Sequence, residues 1–405
     1  MKTAALAWHY LWARPLVAAL NVLLLALALA SVTLVLLVGT QIDRAFGRDV
    51  AGIDVVVGAK GSPMQLILSG VFHLDVPTGN VPLAEVQRLQ RHPQVETLIP
   101  LALGDSFRGF RIVGTTPDYI AHYAVPMVQG RAWAAPMEAV LGADVAQRAG
   151  GAQALRPGDR FTGSHGLAGG HDHGDAPYTV AGVLAPCGCV LDRLVLTDLA
   201  SVWQVHEGPD DSTLGAEDRA ALAAEREVTV ALIRYHTPLA AVSFPRFVNT
   251  TTRMQAAAPA VEITRLLRMV GVGTDVLRAF GVVLLAIAGL SVFIALWHAV
   301  RERRSDLALL RMLGAPPSRL AGLLLCEALW LALLASVLGL LGGHLLTALL
   351  GWMLPPDNTL PLRGTVVLAS EWAVPLAAAL VAGLAAVLPA LQALRVEVDE
   401  LLQPG

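Results

Sequence analysis

Residues 301–320 read RERRSDLALLRMLGAPPSRL, five arginines and two acids in a short segment with a long apolar run on either side. Charge is scarce in the rest of the chain. Of its 405 residues 15% are charged and 55% hydrophobic, and the mean hydropathy is +0.59. A soluble domain carries about a quarter charged residues, so this composition places the chain in a bilayer. The net charge of -3 gives no electrostatic basis for binding nucleic acid.

Working outward, the run before the basic segment is AFGVVLLAIAGLSVFIALWHAV (279–300), and the run after it covers 320–350, interrupted by Glu327 and His344. Two further runs lie at 15–40 and 372–394. About 20 helical residues cross the hydrocarbon layer, and backbone polar groups in lipid must be satisfied within the segment, so all four are expected as membrane-spanning helices. The small residues Ala28-Leu29-Ala30 suit a signal-peptide cleavage site. The apolar run continues past them to Val38, however, and an uncleaved anchor is the better reading.

The expected layout is one helix, a large folded segment and three more helices. Its boundaries are 1–14, 15–40, 41–278, 279–300, 301–319, 320–350, 351–371, 372–394 and 395–405. Arg44, Arg48, Arg265, Arg268, Arg278 and Arg363 flank the spans on one side, and the larger set of Lys2, Arg14, the five arginines of the basic segment and Arg395 lies on the other, a moderate asymmetry. By the positive-inside rule the side with the larger set is cytoplasmic, with both termini, and segment 41–278 is outside.

Segment 41–278 reads as an α+β domain of two subdomains, one inserted in the other at about 131–240. DVVVGAKG and RGFRIVGTT are strand-like, as are LRPGDRFTG, YTVAGVLA and DRLVLTDLASVWQV. VPLAEVQRLQRHPQV predicts a capped amphipathic helix stopped by proline, and VEITRLLRMVGVGTDVLRAF a broken helix leading into the second span. The apolar patch Met64, Leu66, Ile67, Leu68, Val71 and Phe72 is open to two readings: core packing, or a surface for a lipidic substrate or a partner protomer.

Between 165 and 189 lies HGLAGGHDHGDAPYTVAGVLAPCGC, with His165, His171, His173, Cys187 and Cys189. Imidazole and thiolate are zinc and copper ligands and a glycine-rich loop lets them converge, so these five are candidate metal ligands. The alternative is a solvated loop. Cys187 and Cys189 leave a stable disulfide, a labile disulfide and a metal-binding thiol pair all open. No nucleophile elbow, zinc-protease helix motif or dinucleotide fingerprint is present. Lys2 and Lys60 are the only lysines, and neither sits in a Walker A loop.

Within the basic segment Leu307, Leu310, Leu313 and Leu320 recur at helical spacing, which predicts a short amphipathic helix at the membrane surface. Gly314, Pro316 and Pro317 stop it and feed the next span. Such a helix serves as a topological anchor or as a docking element. Glu327 lies close enough to snorkel or to pair with one of the arginines.

The whole pattern resembles the FtsX/MacB-like ABC transporter permeases of the four-helix, type VII, mechanotransmission class. It does so through Arg301 to Arg304, the leucine-rich Leu307 to Leu313, the turn Gly314–Ala315, the early Glu327 and the paired glycines Gly342–Gly343. Asp306 departs from the usual glutamate and keeps the charge. The resemblance implies four transmembrane helices (1+3), a MacB-like periplasmic domain and a place in a bacterial inner membrane with both termini cytoplasmic. It implies a separate cytoplasmic ATPase that holds ATP and Mg, with Arg301, Arg303, Arg304, Asp306, Leu309, Leu310, Leu313 and Gly314 as the ATPase-coupling residues. A second copy of the chain, membrane lipids and a periplasmic or outer-membrane protein are the other expected partners. The implied role is that of a permease without its own catalysis that exports or extracts a substrate, metal-linked or amphiphilic. The alternative is a transmembrane signalling scaffold controlling a partner such as a cell-wall hydrolase.

Overall fold

The computed structural model describes residues 3–151, 153–165, 176–207, 225–353 and 362–394. The chain divides into two compact units. One is helical and is built from the first 42 residues and from Met269 onward, and the other is an α/β unit built from Asp43–Arg268.

In the helical unit, four helices among the described residues are long and apolar enough to cross a membrane: Pro15–Asp49, Asp275–Glu302, Pro317–Met353 and Ala369–Leu394. Two of them start on proline, whose missing N–H costs nothing at a helix start. The first helix runs on past residue 40 through the polar stretch to Asp49, because no breaker occurs there. The expected broken helix before the second span is a single unbroken helix, Pro259–Glu302. The glycines at 271 and 273 each cost only about 1 kcal/mol relative to alanine and do not interrupt it.

Packing in this unit depends on small residues. Ala378, Ala382 and Ala386 are fully buried along one face of helix Ala373–Leu394, where they let a neighbour approach closely. At Gly343 an added Cβ would lie 2.5 Å from the Thr33 Cβ, so the crossing of the first and third spans has no room for a side chain there. Leu25, Leu29, Val292, Leu296 and Leu331 fill the same core. Ser291 donates a hydrogen bond to the Asn21 side chain at 2.9 Å, joining the first two spans. His344, a polar interruption of the third span, bonds the Gly364 carbonyl at 2.7 Å and Glu371 at 3.1 Å.

Short helix Arg304–Met312 lies between the second and third spans. It ends in a paired carbonyl lock: the Ala315 N–H donates to Leu310 and the Gly314 N–H to Arg311, with Gly314 at φ +89. That is a Schellman ending, in which the left-handed position favours glycine.

The α/β unit is organised on a mixed sheet whose strand order is Met254–Ala257, Val55–Ala59, Val230–Tyr235, Val95–Phe107, Phe110–Thr115, Leu194–Asp198, Glu138–Leu141, Tyr178–Leu184, Met127–Gly130. The 13-residue strand Val95–Phe107 joins its two halves. It pairs Leu101 with Val230 on one side and Phe107 with Phe110 on the other. Strand alternation sends Val56 into one apolar cluster with Leu101 and Val113, and Val55 and Val57 into another with Phe244 and Val248. A third cluster, around Phe107, Ile112, Leu141 and Tyr178, fills the far half.

Several expectations are corrected here. Strand Val230–Tyr235 pairs with Val55–Ala59, so the chain returns to the first half before 240. Helix Leu83–Gln90 has no side-chain cap, because Pro82 occupies the N-cap position. The stretch expected as one strand from 192 to 205 is strand Leu194–Asp198 followed by helix Leu199–Glu207. Asp198 turns the chain by accepting from the Ala200 N–H at 2.8 Å. Within the patch at 64–72, Leu66, Ile67, Val71 and Phe72 are buried core residues in and just after helix Pro63–Gly70 and give no surface to lipid or partner.

Candidate functional site

Arg303 occupies the turn between the second long helix and helix Arg304–Met312. Its guanidinium bonds Glu327 Oε1 at 2.8 Å and the Tyr10 carbonyl at 2.9 Å, and lies 4.5 Å from the centre of the Tyr10 ring. The Arg303 and Glu327 side chains are 15% and 5% exposed, so this is a buried pair. Tyr10 is carried by helix Thr3–Trp12, which packs on the third span through Trp8 and Trp330, ring centres 4.9 Å apart. The Trp330 ring N–H donates to the Ala4 carbonyl at 3.2 Å. Arg14 pairs with Glu302 on the same side. The elbow is thereby tied to two other helices.

The rest of the expected coupling set divides according to burial. Leu307 and Ala308 are buried against the spans and fix the short helix. Arg301, Arg304, Asp306 and Gly314 are exposed, and Leu310 is half-buried. Leu309, Met312 and Leu313 are 52%, 59% and 83% exposed. At spacings of three and four residues they share one outward face, an apolar patch with the exposed Arg304 and Asp306 on the same short helix. Arg303 differs from Arg301 and Arg304 in being held inside the protein by Glu327 and the Tyr10 carbonyl. Glu327 meets one of the arginines, as its position in the sequence allowed.

In the α/β unit the structure describes three of the five candidate metal ligands, His165, Cys187 and Cys189. His165 is in a two-residue strand whose backbone pairs with Asp105, while His171 and His173 lie outside the described residues. Cys187 and Cys189 are joined as a disulfide, and in that state offer no thiolate to a metal. Gly188 between them, at φ +63, turns the chain so that the two Cα atoms stand 5.1 Å apart. Asp192 accepts from the N–H groups of Cys187 at 2.9 Å and Gly188 at 2.6 Å. Among the described residues no group of three or more His, Cys, Asp or Glu side chains is placed to hold a metal ion.

Two family patterns match the sequence. The MacB-like periplasmic core domain matches residues 18–234, more than half of the chain, and the FtsX-like permease C-terminal pattern matches 278–398. The chain belongs to the MacB/FtsX-like permease family.

Among solved structures it is similar to the periplasmic region of MacB from Actinobacillus actinomycetemcomitans, at 12% identity and a TM-score of 0.35, covering 54% of this chain and 95% of that one. It is also similar to the extracellular domain of the noncanonic ABC-type transporter YknZ from Gram-positive bacteria, at 11% identity and a TM-score of 0.31, covering 50% and 98%. These scores are low, and membership rests on the two sequence patterns. No curated protein matches the chain. As a MacB/FtsX-like permease it is an ABC transporter membrane component with four apolar helices and an α+β periplasmic domain.

Sequence reasoning did not find Tyr10, although Trp8, Tyr10 and Trp12 just ahead of the first span form an interfacial aromatic belt that marks the place. It also missed a buried polar network in the periplasmic domain, whose members are far apart in sequence. Asp49 accepts from the Val190 N–H at 2.8 Å and faces Arg193 at 3.8 Å, and the Tyr123 hydroxyl donates to the Asp49 carbonyl at 2.6 Å. His73 belongs to this region, with Nε2 3.2 Å from the Tyr119 hydroxyl.

Burial, and after it the guanidinium groups of Arg111 and Arg193, hold the His73 pKa well below 6.5. The unfolded imidazole protonates as pH falls below that value while the folded one stays neutral. The unfolded state then binds more protons, and stability declines with acidification. The contribution of neutral His73 to stability is expected to decline between about pH 7 and pH 5.5, so that acidification costs His73→Asn less than the parent over the same window. Asparagine tolerates the left-handed backbone of residue 73, at φ +56. Asp192, whose pKa burial raises, acts in the opposite sense. The readout is therefore the difference between variant and parent in denaturant titrations.

Proposed function

We propose that this permease is driven by a cytoplasmic ABC ATPase on a separate polypeptide, and that it exports or extracts a substrate by moving its periplasmic domain. The supporting observation is the outward apolar face of Leu309, Met312 and Leu313, on a short helix held firmly from behind by Leu307, Ala308 and the buried Arg303–Glu327 pair. A rigid knob with an exposed apolar tip suits a groove on a partner. Exposed aliphatic groups with no intrachain cover gain most from being buried there.

In this reading ATP and Mg are held by the ATPase, and ATP binding moves two ATPases together beneath two copies of the permease. The knob follows its ATPase, and the tie through Arg303 transmits that displacement to the third span and the N-terminal helix. The unbroken helices Pro15–Asp49 and Pro259–Glu302 carry it onward. The elbow and both termini are cytoplasmic, and the membrane is the bacterial inner membrane. The chain itself catalyses no reaction.

The experiment is affinity capture of the tagged full chain from cross-linked native membranes, followed by reconstitution of the captured pair. A partner carrying a Walker A loop, whose ATP hydrolysis the permease stimulates, is the expected result. Capture without any such ATPase, or an ATPase indifferent to the permease, overturns the proposal.

A further inference from the structure

The helical unit contains a cavity of about 370 Å3 lined by the first and second spans, near the lower end of the range of ligand clefts. Its floor is charged: Arg14, Glu302, Arg303 and Glu327 all line it, with the His298 imidazole also in the lining. The wall above is apolar, with Val17, Leu20 and Ile294. These three are 46%, 55% and 47% exposed, so the wall is open sideways, which for spanning helices means toward acyl chains.

The four charges cancel as two pairs that differ in availability. Arg303 and Glu327 are buried, and Arg303 is further engaged by the Tyr10 carbonyl. Arg14 and Glu302 are 43% and 48% exposed, and a half-exposed pair holds its partners weakly. A ligand can therefore replace each member of the outer pair with an opposite charge of its own. An anion alone would satisfy Arg14 and repel Glu302. A zwitterion satisfies both. The cavity is too small for a folded segment of another chain, and a helix of a second copy laid across it would desolvate the floor charges without answering them.

We propose that this cavity is a site for a zwitterionic phospholipid with a primary ammonium headgroup, of the phosphatidylethanolamine type. The phosphate lies on Arg14 and the ammonium on Glu302, and the proximal part of one acyl chain runs along Val17, Leu20 and Ile294. A primary ammonium donates hydrogen bonds to the Glu302 carboxylate, and a trimethylated one cannot. Because the site adjoins the elbow, the lipid becomes part of its packing. The site does not depend on how the ATPase docks, and its test uses the permease alone.

The test is native mass spectrometry of the delipidated full chain offered equimolar phosphatidylethanolamine, phosphatidylcholine and phosphatidylglycerol. The expected result is retention of one phosphatidylethanolamine per protomer, preferred about tenfold over either competitor, the worth of one charge-assisted hydrogen bond. Glu302→Gln should abolish the preference for ethanolamine over choline while the protein still binds lipid. Ala295→Phe, which fills the cavity from the second span, should abolish retention with the elution profile unchanged. Equal retention of all three lipids overturns the proposal. So does an undiminished preference for ethanolamine over choline in Glu302→Gln, or undiminished phosphatidylethanolamine retention in Ala295→Phe. Disulfide cross-linking between Leu20→Cys residues of two copies also overturns it, because the cavity would then be covered by protein.

Discussion

Glu327→Ala destabilises the helical unit by about 3–5 kcal/mol, because it leaves the Arg303 guanidinium buried without its carboxylate. The two side chains are 15% and 5% exposed and meet at 2.8 Å, so solvent does little to screen the loss. What remains for Arg303 is the Tyr10 carbonyl and the Tyr10 ring, a cation–π contact of roughly 2 kcal/mol when desolvated. That contact retains the arginine without neutralising it. The paired change Arg303→Met with Glu327→Leu removes both charges and is expected to recover most of the loss, since apolar replacement of a buried ion pair is often neutral or stabilising. Thermal unfolding in detergent, followed by protease susceptibility of the elbow, distinguishes the cases. A single variant as stable as the parent would mean that the pair contributes nothing.

Leu309→Asp combined with Leu313→Asp is expected to weaken ATPase capture by roughly three orders of magnitude, as two lost apolar anchors of about 2 kcal/mol each. Both side chains point outward, at 52% and 83% exposure, so insertion and thermal stability should be unchanged. Arg301→Ala is the comparison. As an exposed charge near this patch it should alter capture less than tenfold. Quantitative pull-down against the reconstituted ATPase reads both. Normal capture by the double aspartate variant would move the docking surface away from this helix.

The two results separate functions that the sequence presents as one motif. Arg303 and Leu309 are six residues apart in the same charged, leucine-rich run, and nothing local distinguishes them. Helical periodicity placed Leu307, Leu310 and Leu313 on a common stripe. The folded elbow instead buries Leu307, half-buries Leu310 and leaves Leu313 exposed just past the helix end. Leu313 is the C-cap residue, where the helix gives way to the Gly314 turn, and a one-dimensional period cannot register where the helix ends. In the histidine and cysteine segment the backbone puts His165 in a strand and closes Cys187 onto Cys189, while His171 and His173 lie outside the described residues.

The sequence by itself determined the four spans, the large domain between the first and second of them, the basic elbow and the family. Each of these depends on runs of composition or on spacing within some twenty residues, and the bilayer enforces such patterns strongly because it penalises every unsatisfied backbone group. The tertiary structure decided which arginine turns inward, which leucines face outward, where the apolar patch at 64–72 is buried, and how Asp49, His73 and Arg193 meet. Those choices depend on contacts between residues tens to hundreds of positions apart, such as Tyr10 with Arg303 or Asp49 with Val190. Their energies arise from burial and pairing, which exist only once the chain has folded.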